Sequence, residues 1–141
     1  MIQNVFTMLL QQGAVISAPA DKRTVQLASS MLASNRMASI PAEYQQLLEL
    51  ANGLVYNGFE FFGTKDFAYR DEAKLPNIAD VNLDVNADAD LTGQVLIGRG
   101  QNELFLYDEN KDDYFAADRL TMSKIRRYKN LEILLNTIAV G

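Results

Sequence analysis

Two Asn-Gly pairs, Asn52-Gly53 and Asn57-Gly58, constrain this chain more than any other feature. The first closes a stretch in which Tyr44, Leu47, Leu48 and Ala51 recur at helical spacing behind Pro41, a residue suited to a first helical turn. The second lies between Leu54-Val55-Tyr56 and Phe59-Glu60-Phe61-Phe62. Asn-Gly satisfies the positive φ angles of a type I′ turn at low steric cost, so these runs predict a β-hairpin. A helix therefore empties directly into a tight hairpin.

The remaining pattern extends that order. Ile2, Val5, Phe6, Leu9 and Leu10 predict a first helix ending at Gly13. Val25, Ala28, Met31 and Leu32 predict a second, with Pro19 in its first turn. Residues 63–92 are polar; Ile78, Val81 and Val85 fit a short helix after Pro76-Asn77, and Asp84 to Asp90 read as a loop. Gln94 to Gly98 form an apolar run of strand length, and Glu103 to Tyr107 alternate and should pair with it. The run Asp108 to Asp113 is the next turn, before Tyr114-Phe115-Ala116-Ala117. Asn130 can cap a last helix with Leu131, Leu134, Leu135 and Ile138 on its buried stripe. Helices first, then about five strands on short turns, then a helix, argue for α+β with an antiparallel sheet, not a wound βαβ sheet.

At 141 residues, with no Gly/Ser/Pro-rich linker, the chain reads as one domain, 1–141. It has no cysteine and no histidine, which removes disulfides, thiolate metal sites, a cysteine nucleophile and the usual neutral-pH acid/base group. No apolar run is long enough to span a bilayer, and no signal peptide is visible at the N-terminus, so the expected compartment is the cytoplasm, without membrane association. The net charge of −5 is uneven: residues 71–113 hold eleven acids against three bases, and residues 114–141 hold two acids against five bases. A net-acidic chain repels phosphate backbones, so a basic protein is a better partner than nucleic acid. The same acids would also keep a domain soluble.

No motif brings chemistry with it. Asp108, Asn110 and Asp112 imitate the start of a calcium loop, but Asp113 and Arg119 stand where glycine and the bidentate glutamate belong; Asp84, Asn86, Asp88 and Asp90 fail in the same way. No metal and no cofactor are expected. Gly98-Arg99-Gly100 lies between two strands, where no helix N-terminus can face a phosphate, and is expected to serve the turn. Arg119, Lys124, Arg126, Arg127 and Lys129 form a basic stretch, either an anion contact or a solvated helix face offsetting the acids. Of the aromatics Tyr56, Phe59, Phe61 and Phe62, strand alternation forbids a common face, and the core is the expected place for each.

The segment Ile40-Pro41-Ala42-Glu43-Tyr44 through Leu50-Ala51-Asn52-Gly53 resembles the opening of the SUKH superfamily (the Smi/Knr type, with bacterial YrhA-like members). Val95-Leu96-Ile97-Gly98, the strand ending near Tyr107-Asp108, and the Leu-rich last helix are also similar to that family. The resemblance covers about residues 25–139, with its core motif over 38–139; tryptophan and the acids that often precede the Pro-containing helix are absent. It implies an α+β fold and an immunity protein that binds and neutralises a cognate secreted polymorphic toxin, frequently a nuclease, with no catalytic residue. Other members of the family are regulatory scaffolds, the alternative reading here.

A nuclease binds phosphates with a basic surface, which an acidic inhibitor can imitate. The expected partner-binding residues are Asp84, Asp88, Asp90, Asp108, Glu109, Asp112 and Asp113. A hydrolase using paired carboxylates is a third reading; it requires a cleft with two carboxyl groups about 5–10 Å apart.

Overall fold

The computed structural model describes residues 2–141, which form an α+β domain. Three helices lead: α1 (Ile2–Gln11), α2 (Lys22–Ser34) and α3 (Ala42–Leu50), with the two-residue strand β1 (Val15–Ile16) between the first two. The hairpin β2 (Leu54–Tyr56) and β3 (Phe59–Phe61) follows, turning at Asn57 and Gly58 with φ of 48° and 83°, as the Asn-Gly pair requires. A separate hairpin, β4 (Phe67–Arg70) and β5 (Ala73–Leu75), precedes α4 (Ile78–Asp88). Strands β6 (Gln94–Arg99), β7 (Glu103–Asp108), β8 (Asp113–Asp118) and β9 (Lys124–Tyr128) form a meander, and α5 (Leu131–Val140) closes the chain.

The main sheet is antiparallel throughout, in the order β1-β2-β3-β6-β7-β8-β9. It has seven strands, not five. The two additions are the short β1, which pairs Val15 with Val55, and β9, formed by the basic stretch that had been expected on a helix face. Cross-strand pairing with β8 decides the second case, because Tyr128 is buried opposite Tyr114. The sheet thus ends in a two-residue strand on one side and in Lys-Ile-Arg-Arg-Tyr on the other.

Local chemistry explains most boundaries. Asp21 caps α2 by accepting from Thr24 N–H at 2.7 Å, so Pro19 lies before the helix, not in its first turn. Asn77 caps α4 and Asn130 caps α5, each accepting from the N–H three residues on, at 2.9 Å. Asp84 to Asp88 belong to α4 and not to a loop. Their acids and asparagines are poor helix formers, but burial of Ile78, Val81 and Asn82 overrides that preference.

Register sorts the core into two faces. Phe61 and Phe105 stack with centroids 5.7 Å apart on the face that α5 covers, where Ile138, Phe105 and Tyr128 line a common cavity. Phe61 and Phe62 are buried and Tyr56 and Phe59 are half-buried, so only two of the four hairpin aromatics are fully in the core. On the opposite face α4 lies over β6, with Val81 and Val85 near Leu96 and Leu104.

Two polar side chains stitch this arrangement together. Tyr44 of the Pro-x-x-Tyr segment is fully buried and donates its hydroxyl to the Phe62 carbonyl at 2.5 Å, with the Ile97 carbonyl 3.0 Å away. Beyond the point where β3 stops, β6 keeps β7 on one side but has no strand on the other. There the Asn82 carboxamide accepts from Leu96 N–H at 2.7 Å and donates to the Leu96 carbonyl at 2.8 Å, so one side chain serves as a strand residue. Gly98 lies inside β6, not in the turn; a Cβ there would come within 2.6 Å of the Phe61 ring.

Candidate functional site

The seven acids singled out by charge come from two segments, and the fold brings those segments to one end of the sheet. The Glu109 N–H donates to the Gly93 carbonyl at 2.9 Å, tying the β7–β8 turn to the loop that follows α4. Gly93 in turn donates its N–H to the Arg36 carbonyl at 2.9 Å. Asp90 from one segment and Glu109 and Asp112 from the other are exposed beside this junction, an acidic rim, and Asp88 at the end of α4 shares a hollow with Asp90. Asp84, one helical turn before Asp88, continues the rim along α4.

Two of the rim acids are positioned by their own turns. The Asp90 carboxylate accepts from the Thr92 hydroxyl and N–H, which holds its pKa below the ordinary aspartate value. Asp112 sits at a φ of 49°, in the left-handed region that aspartate tolerates, and accepts from the Tyr107 hydroxyl at 2.7 Å. Partial burial and that contact push the Tyr107 hydroxyl up to about 12, so it stays a donor at any ordinary pH.

Asp108 and Asp113 are not part of the rim, which corrects the sequence reading. Asp108 is only 5% exposed. Its Oδ2 lies 2.8 Å from Arg127 Nη2, and the same nitrogen is 2.6 Å from Asp113 Oδ1. Arg127 Nε adds a bond to Asp113 Oδ2 at 2.8 Å, and the guanidinium lies over the Phe115 ring, 5.1 Å from its centroid. The Arg127 bonds hold the Asp113 carboxyl below the ordinary value. These two acids bind β7, β8 and β9 together and share one guanidinium, which offsets one of their two charges.

The other Asp108 oxygen accepts from Asn110 N–H at 3.0 Å, so the calcium-like spacing is used as an Asx turn. Among the described residues, no group of three or more acidic side chains converges as a metal ion requires. No helix among them is long and apolar enough to cross a membrane.

Two contributors had no mark in the sequence reading. Arg36, with φ 67°, lies beside Asp88 and Asp90 in a shallow hollow and is the one base that lines it. Tyr107 orients Asp112; the five-residue separation of the pair across an acidic turn is the signal that could have shown it. Elsewhere in the basic stretch, Lys124 lies over Phe115 and Arg126 over Tyr128. Compared with protein-family models and with curated proteins, the chain matches none.

Proposed function

We propose that this chain is an immunity protein of the SUKH type, which neutralises a cognate secreted toxin by covering a cationic face of it with the acidic rim. The observation that carries this reading is the junction of two acidic segments at Gly93 and Glu109, which leaves Asp90, Glu109 and Asp112 exposed beside it. Closely set like charges repel one another, and a cationic partner relieves that repulsion on contact. Such a surface steers encounter, so association is fast at low salt and slows as ionic strength rises. A nuclease, built to hold phosphates, is the toxin class that fits it.

The resemblance of residues 40–53 adds the immunity role; Tyr44 and Asn52, its polar core positions, are both buried and hydrogen-bonded. The role of the protein is to bind, with no bond made or broken.

The experiment is co-expression and pull-down with the toxin-like product of the adjacent gene. The triple variant Asp88→Lys, Glu109→Lys, Asp112→Asn, whose asparagine tolerates the left-handed backbone and can still accept from Tyr107, should bind at least about tenfold more weakly and lose neutralisation, mainly through slower association. Its Tm should change by less than about 2 °C, because all three side chains are exposed. Unaltered neutralisation by this variant removes the rim mechanism. Failure of the wild-type protein to bind any such product moves the reading to a regulatory scaffold.

A further inference from the structure

A cleft of about 330 Å³ opens on the α4 side of the sheet, at the end of β7 away from the acidic turn. Val81, Val85, Leu96, Leu104 and Met122 give it an apolar lining, and Arg99 and Arg119 complete one end of it. We infer that this cleft is a binding site for a small carboxylate with an apolar tail. It involves different residues from the acidic rim, apart from Asp88, which reaches both.

The cationic end is built before any ligand arrives. Arg119 donates its backbone N–H to the Asn102 carbonyl at 3.0 Å and its Nη1 to the Gly100 carbonyl at 3.0 Å, which fixes the side chain against the β6–β7 turn. No ion pair joins Arg119 to an acid among the described residues. A guanidinium has five N–H donors, so most of this one's hydrogen bonds remain to be made. Arg99 spends its Nε on Glu60 Oε1 at 2.7 Å and rests its plane over Phe62, 5.3 Å from the ring centroid. It has Nη donors left in the same way, though its charge is already shared with Glu60. A fixed fork of this kind matches the two oxygens of a carboxylate.

The apolar end is equally specific. Leu120 stands at the tip of the β8–β9 turn and is 94% exposed. It is not loose: Asp118 Oδ1 accepts from the N–H of both Leu120 and Thr121 at 2.9 Å, and Met122 returns an N–H to the Asp118 carbonyl at 2.8 Å, with Met122 at φ 63°. A leucine held out into water beside an apolar cleft gains from anything that covers both. Asp88 supplies the one carboxylate on the lining and disfavours a ligand with negative charge along its whole length. The charge therefore belongs at the arginine end and the hydrocarbon over Val85, Leu104 and Leu120.

Octanoate, octanol and octylammonium serve as probes, each titrated into the full chain and followed by amide chemical shifts. Octanoate should bind saturably and shift the amides of Val85, Leu104 and Leu120; octanol should bind at least about fivefold more weakly, and octylammonium not measurably. Arg119→Gln should weaken octanoate about tenfold while leaving octanol unchanged. Leu120→Ser should weaken both by a similar, severalfold amount. Val85→Trp, which fills the cleft, should abolish both. Equal binding of octanoate and octanol, no effect of Arg119→Gln, or no saturable octanoate binding below about 10 mM, a standard binding free energy near −3 kcal/mol, overturns the site. None of these outcomes depends on a toxin, so this site and the acidic rim stand or fall separately.

Discussion

Arg127 decides which acids of the chain are available to a partner. It takes up Asp108 and Asp113 and leaves Glu109 and Asp112, from the same turn, facing outward. Replacing it by Met keeps an unbranched stem over Phe115 but strands the buried Asp108 carboxylate; the expected loss is about 2 kcal/mol, or roughly 5–8 °C in Tm. The pH dependence has a definite sign. Asp113 titrates lower in the folded chain than in the unfolded one, where its pKa is about 3.9. Its stabilisation is therefore complete above about pH 5 and is lost as the pH falls through the folded value. In Arg127→Met the acid limb of a Tm-against-pH curve should flatten, as followed by circular dichroism; an unchanged limb would show that the pair does no such work. Composition and charge single out two segments that the fold joins at Gly93 and Glu109. They could not separate Asp108 and Asp113 from their neighbours, because the partner lies 19 and 14 positions away on another strand.

At the scale of elements, Asn82 has no counterpart on the other strands. It joins α4 to β6 through both backbone groups of Leu96 and is itself fully buried. Asn82→Leu keeps the volume and removes the polar contacts, leaving two buried backbone groups without partners; we expect about 3 kcal/mol of lost stability in urea unfolding. A loss no larger than about 0.5 kcal/mol would mean that water takes over both bonds. Where elements carry their own chemistry they were legible: the Asn57-Gly58 turn, the Asn130 cap and the apolar stripe of α5 appear as expected. The elements that were misread are those settled by tertiary contacts. The second half of α4 consists of residues that favour loops and is held by the sheet; β9 is rich in charge and becomes a strand through β8; β1 is too short to have a period.

The whole molecule shows a polar distribution of charge on an apolar framework. The turn with Glu109 and Asp112 lies at one end of the β7–β8 hairpin, and the arginine-bearing cleft at the other end of the same strands, with Asp88 of α4 on its lining. The seven-stranded sheet also has two unpaired borders. One is occupied by a strand of two residues, the other by β9, where Lys124 and Arg126 are exposed and Ile125 is 53% exposed. Changing Lys124 and Arg126 to Thr preserves strand preference and removes the repulsion between two such borders. The prediction is concentration-dependent self-association by light scattering, with a near-native Tm, where the parent chain remains monodisperse; equal scattering by the two would assign the cations another purpose. An antiparallel sheet offers its outermost backbone as a template to any copy that drifts past. Here one border is too brief to copy and the other turns a twin away by its charge, so neither border of the main sheet gives a fibre a place to begin.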